Sequence, residues 1–326
     1  MKTGRNHLIK MLILLIGLIV IAGASLIFFP TKLNFLMEKN KLLHVITKIR
    51  LPEIMIAIAA GACLGLAGAL MQIILNNPLA SPFTLGISAA SAFGAALAIC
   101  LELYYGIAWL NPSIFAFIFS ITSIVLLMLI ITFSGVSQKN IILVGLAVNF
   151  FFNAANTFLQ YYATPDAVYQ ITFWTTGSLT TAVLKHSAIL FSVLTISLIV
   201  SLLFSKDLGI IQQGERNAVM HGVNVSFERI LFLILCSLLA SITVSIVGII
   251  GFIGLVAPHI SRLLGLESPK LLIISSMLAG ALLLISADII SKTVLNPIIL
   301  PISAVTSLFG IPLLLFLLIA KRKNQR

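Results

Sequence analysis

Charge is the first thing that this chain is short of. Only 9% of its 326 residues are Asp, Glu, Lys or Arg, and the Asp and Glu residues together number 9. Soluble globular domains carry about 25% charged residues. Hydrophobic residues make up 60% of the chain, and the mean hydropathy is +1.17. This composition excludes a soluble domain and indicates an integral membrane protein.

Cysteine is also scarce, and its distribution excludes two kinds of stabilisation. The three cysteines are Cys63, Cys100 and Cys236, and all of them lie in apolar stretches. An odd number of thiols in such stretches argues against a disulfide framework, and their spacing matches no metal site. We expect them to be small packing residues, and we expect the chain to bind no metal and no other cofactor.

Motifs for catalysis are missing as well. The sequence has no Gly-x-x-x-x-Gly-Lys-Ser/Thr loop for nucleotide phosphates, no His-Glu-x-x-His zinc motif and no nucleophile elbow. We therefore expect neither an enzyme nor a chain that hydrolyses ATP itself. Among the carboxylates only Asp288 lies inside an apolar segment, which gives little support for coupling to protons or sodium ions. We expect Asp288 to pair with Lys292, one helical turn further on.

What the chain has instead is a series of apolar runs close to the ~20 residues that cross a bilayer as a helix. A shorter run, residues 252–264, contains Pro258 and is flanked by glycines, which indicates a broken or half helix. We therefore predict an all-α, polytopic membrane protein of about ten transmembrane helices, in a single transmembrane domain over residues 1–326. The first run is longer than a signal-peptide core and is expected to be an uncleaved helix. The predicted full-length spans are residues 8–29, 53–75, 84–101, 112–133, 141–162, 187–205, 229–250, 271–291 and 298–320.

The basic residues predict how these helices are oriented. With ten crossings and the N-terminus inside, thirteen of the 20 Lys and Arg residues fall on the inner side. This excess agrees with the positive-inside bias of membrane proteins. We therefore expect both termini to be cytoplasmic, and the C-terminal run 321–323 to anchor the topology rather than to bind nucleic acid.

Four amides share one face of the apolar run 141–162. At about 100° per residue, their side chains fall within an arc of roughly 60°. Hydrocarbon cannot satisfy amides, so the stripe faces either a wet cavity or a neighbouring helix. It therefore predicts either the lining of a translocation pathway or polar contacts between helices. The four residues of this amide stripe are Asn149, Asn153, Asn156 and Gln160.

Proline and glycine interrupt two of the apolar segments. Pro78 and Pro82 follow the second run, and glycines at positions 248, 251 and 254 precede Pro258. Such breaks leave backbone groups free, and at membrane depth these groups must be packed in protein or line a cavity. Broken segments at corresponding places in two halves are typical of transporters built from inverted repeats. We expect residues 51–162 and 229–320 to be the two halves.

Two ordered sets of motifs run along most of the chain. The first set is Arg50-Leu51-Pro52, Gly61-Ala62, Gly68-Ala69, Gln72, Asn77-Pro78-Leu79-Ala80 and Leu85-Gly86-Ile87-Ser88, and the second is the run 251–260, Arg262, Gly280-Ala281, Ala287-Asp288, Leu300-Pro301 and Gly310-Ile311-Pro312. Together they resemble the FecCD-type permeases of ABC importers for iron-siderophores, haem and cobalamin.

The resemblance implies ten helices, dimerisation with a second copy or a paralogue, two cytoplasmic ATPase subunits and a periplasmic or lipid-anchored substrate-binding protein. It implies a multi-pass protein of the bacterial cytoplasmic (inner) membrane, in contact with lipid and not with nucleic acid. We expect import of an iron(III)-siderophore, with cobalamin or haem as the alternative and an ion-coupled secondary carrier as a remote one.

The resemblance also implies where partners bind. Arg50 and Lys292 match family positions that meet acids on the binding protein, and Lys48 lies close to Arg50. The family usually has a second arginine where this chain has Glu53, which is expected to weaken or re-pattern the docking contact. Lys292 itself stands where arginine is common, so it keeps the charge but loses the bidentate fork.

Roles are also expected for two segments on the inner side. The interval 206–228 resembles the coupling helices that insert into the ATPase, with Gly214, Glu215, Ala218, Gly222 and Val223 as its matching residues. The turn before the amide stripe is expected to form part of a cytoplasmic gate, with Ser137, Gln138, Lys139 and Asn140 as its residues.

Overall fold

In a computed structural model, described for residues 2–28, 43–107, 109–134, 140–180 and 183–323, every regular element is helical. A short π-helix, Val45–Arg50, leads directly into the second α-helix. The α-helices are α1 Lys2–Phe28, α2 Leu51–Ile74, α3 Ile87–Tyr105, α4 Pro112–Ser134, α5 Ile141–Tyr162, α6 Pro165–Thr175, α7 Leu184–Leu203, α8 Ser205–Gln212, α9 Glu215–Met220, α10 Val225–Val247, α11 Ile253–Leu263, α12 Pro269–Thr293 and α13 Ile302–Lys323.

Eight of the described helical segments are long and apolar enough to cross a membrane: α1, α2 with its π-helix, α3, α4, α5, α7, α10 and α12. With α13 and the half helix α11, they make up the ten membrane segments that the sequence predicts. The all-α, polytopic fold is therefore confirmed. The predicted boundaries are off by a few residues at most ends, whereas α5 has the predicted bounds.

The centre of the bundle is α2, whose residues from Ile56 to Ile74 are nearly all buried. Its closest neighbour is α12. A Cβ atom added to Gly61 would lie 2.4 Å from the carbonyl oxygen of Gly280, and one added to Gly65 would lie 2.2 Å from that of Ser276. Both distances are too short for real atoms, so glycine alone lets these two backbones touch.

The first break lies between α2 and α3, at residues 75–86. Asn77 Oδ1 accepts a hydrogen bond from the Leu79 N–H at 2.9 Å, and the Thr84 hydroxyl donates to the Ser81 carbonyl at 2.9 Å. Gly86, the residue just before α3, has φ +83°, a left-handed conformation that favours glycine. The break therefore satisfies part of its freed backbone with its own side chains, as irregular backbone at membrane depth requires.

The second break, residues 248–252, lies between α10 and α11. Gly248 and Phe252 both have positive φ, at 74° and 66°. The half helix is confirmed, but it is not interrupted at Pro258, which lies inside α11. The half helix packs on α2 so closely that a Cβ atom at Gly68 would lie 1.7 Å from the Gly254 carbonyl oxygen.

Helix α6 has no counterpart in the sequence prediction. Thr164 caps its start, since the hydroxyl oxygen accepts a hydrogen bond from the Ala167 N–H at 3.3 Å. Ala167 and Ile171 are buried against α3. The residues that follow α6 are fixed by backbone hydrogen bonds to the end of α10 and the start of α13. A short helix thus closes one end of the bundle.

Candidate translocation pathway and its two ends

The amide stripe lies beside the first break. Asn149 Nδ2 donates a hydrogen bond to the Phe83 carbonyl at 3.1 Å. Asn153 Nδ2 in turn donates to Asn149 Oδ1 at 2.7 Å and to the Asn149 carbonyl at 3.0 Å. Two features that the sequence marks separately are therefore joined by one polar chain. In this chain the Phe83 carbonyl, which also accepts the Gly86 N–H at 3.4 Å, takes a second hydrogen bond from Asn149.

The other half of the stripe differs. Asn156 Oδ1 is buried and has no hydrogen-bond partner among the described residues. Gln160 is half-buried one turn further along α5. The stripe was expected either to line a pathway or to make polar contacts between helices. Among its four residues, Asn149 is the one that the structure shows bonded to another segment of this chain. Because the Asn156 oxygen is enclosed within this chain, an internal water molecule or a rotation of the side chain would be needed to satisfy it.

The two breaks also meet. The rings of Phe83 and Phe252 stack with their centroids 6.4 Å apart. Phe252 lies directly against α13, where a Cβ atom added to Gly310 would be 2.7 Å from the Phe252 Cβ. The stripe, both breaks and α13 therefore form one continuous surface, which we call the pathway face. Sequence reasoning missed both phenylalanines, because neither ring differs in the sequence from the other phenylalanines of the chain.

The predicted gate is described only at its last residue. Asn140 stands at the N-terminal boundary of α5 and makes no side-chain capping hydrogen bond. Ser137, Gln138 and Lys139 lie outside the described residues, so the gate stays a prediction.

A cluster of four charged side chains lies where α2 begins, at the end of this helix away from the first break. Its members are Arg50, Glu53, Asp288 and Lys292. Lys292 Nζ contacts Glu53 Oε2 at 2.9 Å and Asp288 Oδ2 at 2.8 Å, which confirms the expected pairing of Asp288 with Lys292. Arg50 donates to the Leu26 carbonyl at 2.7 Å. Arg50 is 6% exposed and Lys292 is 7% exposed. Two of the three residues predicted to dock a partner, Arg50 and Lys292, are therefore buried in this conformation.

The arrangement explains the two departures from the family pattern. Glu53 and Lys292 are 239 positions apart in sequence, yet they form one ion pair between α2 and α12. The acid neutralises a lysine that would otherwise be buried with Asp288 alone as its partner. Lys48, two residues before Arg50, is exposed. The docking role of Lys48, Arg50 and Lys292 stays a prediction.

The interval predicted to couple to an ATPase contains the short helices α8 and α9. Gly214 separates them with φ 121°, and Gly222 follows α9 with φ 79°. Glu215 Oε1 lies 3.2 Å from Arg229 Nη2 on α10. The Val223 N–H donates to the Ala218 carbonyl at 3.0 Å, which closes the turn after α9. The five predicted residues thus form one compact hinge attached to a membrane helix.

Comparison with known proteins gives consistent matches over most of the chain. A putative ABC transporter permease of Methanocaldococcus jannaschii is 38% identical over 88% of this chain and 84% of its own length. The hemin transport system permease protein HmuU of Yersinia pestis is 31% identical over 96% of both chains. The vitamin B12 import system permease protein BtuC of Photorhabdus laumondii is 33% identical over 84% of this chain and 82% of its own length.

The fold has a solved counterpart. The structure described as an inward-facing conformation of a putative metal-chelate type ABC transporter aligns with a TM-score of 0.86 at 30% identity, over 95% of this chain and 99% of that chain. Residues 11–320 match the FecCD transport family. With the half helix, both breaks and the ten membrane segments in place, this chain belongs to the FecCD transport family of membrane permeases.

Proposed function

We propose that this chain is the permease subunit of an ATP-driven importer that moves an iron(III)-siderophore inward along the pathway face. The observation that carries the proposal is the amide stripe, with Asn149 bonded to the first break and Asn153 exposed on the same face of α5. A second permease subunit across the pathway would complete the polar lining. The family match and the metal-chelate type neighbour support this function.

The chemistry of the pathway face suits a bulky, uncharged or weakly charged chelate. The stripe offers neutral amide donors and acceptors, and aromatic rings at Phe83 and Phe252 lie beside it. Neutral amides bind a ligand weakly enough to release it, whereas paired fixed charges would hold an ionic chelate. Haem or cobalamin is the alternative substrate, because relatives are named for hemin and vitamin B12.

The energy for transport comes from partner subunits in this proposal. Two ATPase subunits bind on the cytoplasmic side at the hinge of α8 and α9, and a substrate-binding protein docks at the end where α2 begins. Among the described residues Lys48 is an exposed cation there, and Arg50 and Lys292 stabilise the same end from within. Both termini lie in the cytoplasm.

Reconstitution tests the function directly. The chain would be placed in vesicles with a nucleotide-binding partner and a substrate-binding protein, and uptake of a labelled ferric siderophore would be followed with and without ATP. We expect uptake only with ATP and both partners. Uptake driven by a proton gradient with no ATPase present would refute the importer. Mass spectrometry of the ligand on the co-purified binding protein then distinguishes a siderophore from haem and cobalamin.

A further inference from the structure

A crevice between α4, α7 and α10 lies apart from the pathway face, except where one end of it meets Gly248 of the second break. Its volume is about 630 Å³, within the ~300–1,000 Å³ of typical ligand pockets. At one end it is lined by Asn111, Ser113 and His186, and deeper inside by Phe117, Ile189 and Ile242. Phe173 and Trp174 of α6 close another side. We call this cavity the lateral crevice.

The lateral crevice lies on the outer side of the bundle. Ala240 and Val244 of α10 face the void beside Phe83 and Phe252. Ile242, Ser245 and Ile246 of the same helix line the crevice. At about 100° per residue, these two sets lie on opposite faces of α10. The crevice therefore opens away from the pathway face. Two of the apolar side chains that line it, Ile114 and Ile189, are 56% and 48% exposed, so the crevice is open along its side.

The mouth of the crevice lies at the level of a membrane interface. Three of the helices that form it have their ends there: α4 and α7 begin and α10 ends. All 5 tyrosines and both tryptophans of the chain also lie towards this end of the bundle. Tyrosine and tryptophan concentrate where hydrocarbon meets headgroups. These residues are Tyr104, Tyr105, Trp109, Tyr161, Tyr162, Tyr169 and Trp174.

The lining changes from polar to apolar with depth. At the mouth, Asn111 Oδ1 accepts a hydrogen bond from the Ser113 N–H at 2.8 Å, which leaves the Asn111 amide N–H groups to donate elsewhere. His186 lines the same end, and Lys185 beside it is exposed and adds a positive charge. One to two helical turns deeper the walls are Phe117, Ile189 and Ile242. A polar solute would make no favourable contact with the apolar side chains of the deep part. A purely apolar ligand would leave the hydrogen-bond donors at the mouth without acceptors.

We propose that the lateral crevice binds one phospholipid. The phosphate of the lipid accepts hydrogen bonds at the mouth, beside Asn111 and His186 and near the positive charge of Lys185. One acyl chain of the lipid lies deeper, against Phe117 and Ile189. The lipid fills a gap between α4 and α7, both of which pack on α10. The proposal requires only the location of the chain in a membrane, so it stands apart from the choice of transported substrate.

The two tryptophans allow the proposal to be tested in the full-length protein. In a Trp109→Phe background, Trp174 at the crevice is the only fluorescent indole. The protein would be placed in vesicles of phosphatidylcholine, with or without bromine on the acyl chains, because bromine quenches an indole that it contacts. Ser245→Phe fills the crevice from α10. Ser192→Phe is the control, since Ser192 is exposed on α7 and, like Ser245, donates its hydroxyl to a carbonyl of its own helix.

We expect brominated lipid to quench Trp174, Ser245→Phe to restore most of the emission, and Ser192→Phe to restore none. Native mass spectrometry of the same proteins should show one retained phospholipid, which is lost only from Ser245→Phe. Quenching that is equal in all three proteins would mean that Trp174 senses bulk lipid, and no quenching would mean an empty or wet crevice. Either result overturns the proposal. If Ser245→Phe does not assemble, Ile189→Phe fills the crevice from α7, with the exposed Ile196→Phe as its control.

Discussion

Replacing Lys292 with methionine should destabilise the chain far more than a surface lysine change does. Lys292 Nζ lies 2.9 Å from one carboxylate and 2.8 Å from another, and its side chain is 7% exposed. The acceptors, Glu53 and Asp288, have side chains that are 12% and 3% exposed. Asp288 Oδ1 already lacks a hydrogen-bond partner among the described residues. Lys292→Met would therefore leave two buried acids without their shared cation.

Breaking a buried ion pair by removing one partner costs about 3–5 kcal/mol of unfolding free energy, because the remaining charge stays buried. We expect Lys292→Met to fall in that range. Lys48→Met is the matched control, since Lys48 is exposed two residues before Arg50, and exposed charges contribute about 0–1 kcal/mol. The triple variant Glu53→Gln, Asp288→Asn, Lys292→Met removes all three charges and should recover much of the loss.

Unfolding of the purified proteins by titration with sodium dodecyl sulfate in mixed micelles, followed by circular dichroism, gives the free energies to compare. The reasoning requires a large loss for Lys292→Met and a partial recovery in the triple variant. Equal midpoints for Lys292→Met and Lys48→Met would show that the ion cluster contributes no stability, and the explanation of Glu53 would then be wrong.

Three further outcomes follow from the fold and the proposed function. Gly68→Ala should lower the unfolding free energy by about 1–3 kcal/mol, because the added Cβ atom would overlap the Gly254 carbonyl. Gly23→Ala is the control and should be neutral in the same titration, because no atom lies within 4 Å of the position of its Cβ. In the assembled dimer, the cysteine of Asn153→Cys should react with a water-soluble thiol reagent, and that of Phe158→Cys should react much less. Equal labelling of the two variants would refute the proposal that the amide stripe lines a pathway. Deleting residues 214–223 should abolish stimulation of uptake by ATP while the permease still assembles, and unchanged uptake would exclude this hinge as the coupling element.

The sequence predicts the elements of this fold better than it predicts their contacts. Hydropathy is a local property, so α5 has the predicted bounds, 141–162. Helix α6 was missed because 11 residues are too short for a membrane span, although Thr164 followed by Pro165 is a recognisable helix start. Pro258 was expected to interrupt α11, but the break lies before it, at Gly248 to Phe252, where two residues adopt positive φ.

The candidate site was predictable only in part. The amide stripe is a spacing pattern on one helix, so it can be recognised without coordinates. Its partner, the carbonyl of Phe83, is a backbone atom 66 positions away and has no signature in the sequence. The same holds for Phe252, whose ring meets Phe83 only because two separate breaks lie side by side. Residue type and spacing thus identify candidate groups, and tertiary packing decides which atoms meet.

The buried charges also bear on how the proposed substrate-binding protein would recognise this end of the molecule. A cation that meets an acid on another protein must give up its own neighbours, and Lys292 would have to leave two carboxylates to do so. That exchange is unfavourable unless docking separates α2 from α12, which the contacts at Gly61 and Gly65 resist. Exposed Lys48 can pair with a partner's acid at little cost, and such rim pairs set orientation and association rate. Glu53 thus directs Lys292 towards the stability of the bundle, and in the proposed complex the exposed Lys48 is a cation that remains available to pair with the substrate-binding protein.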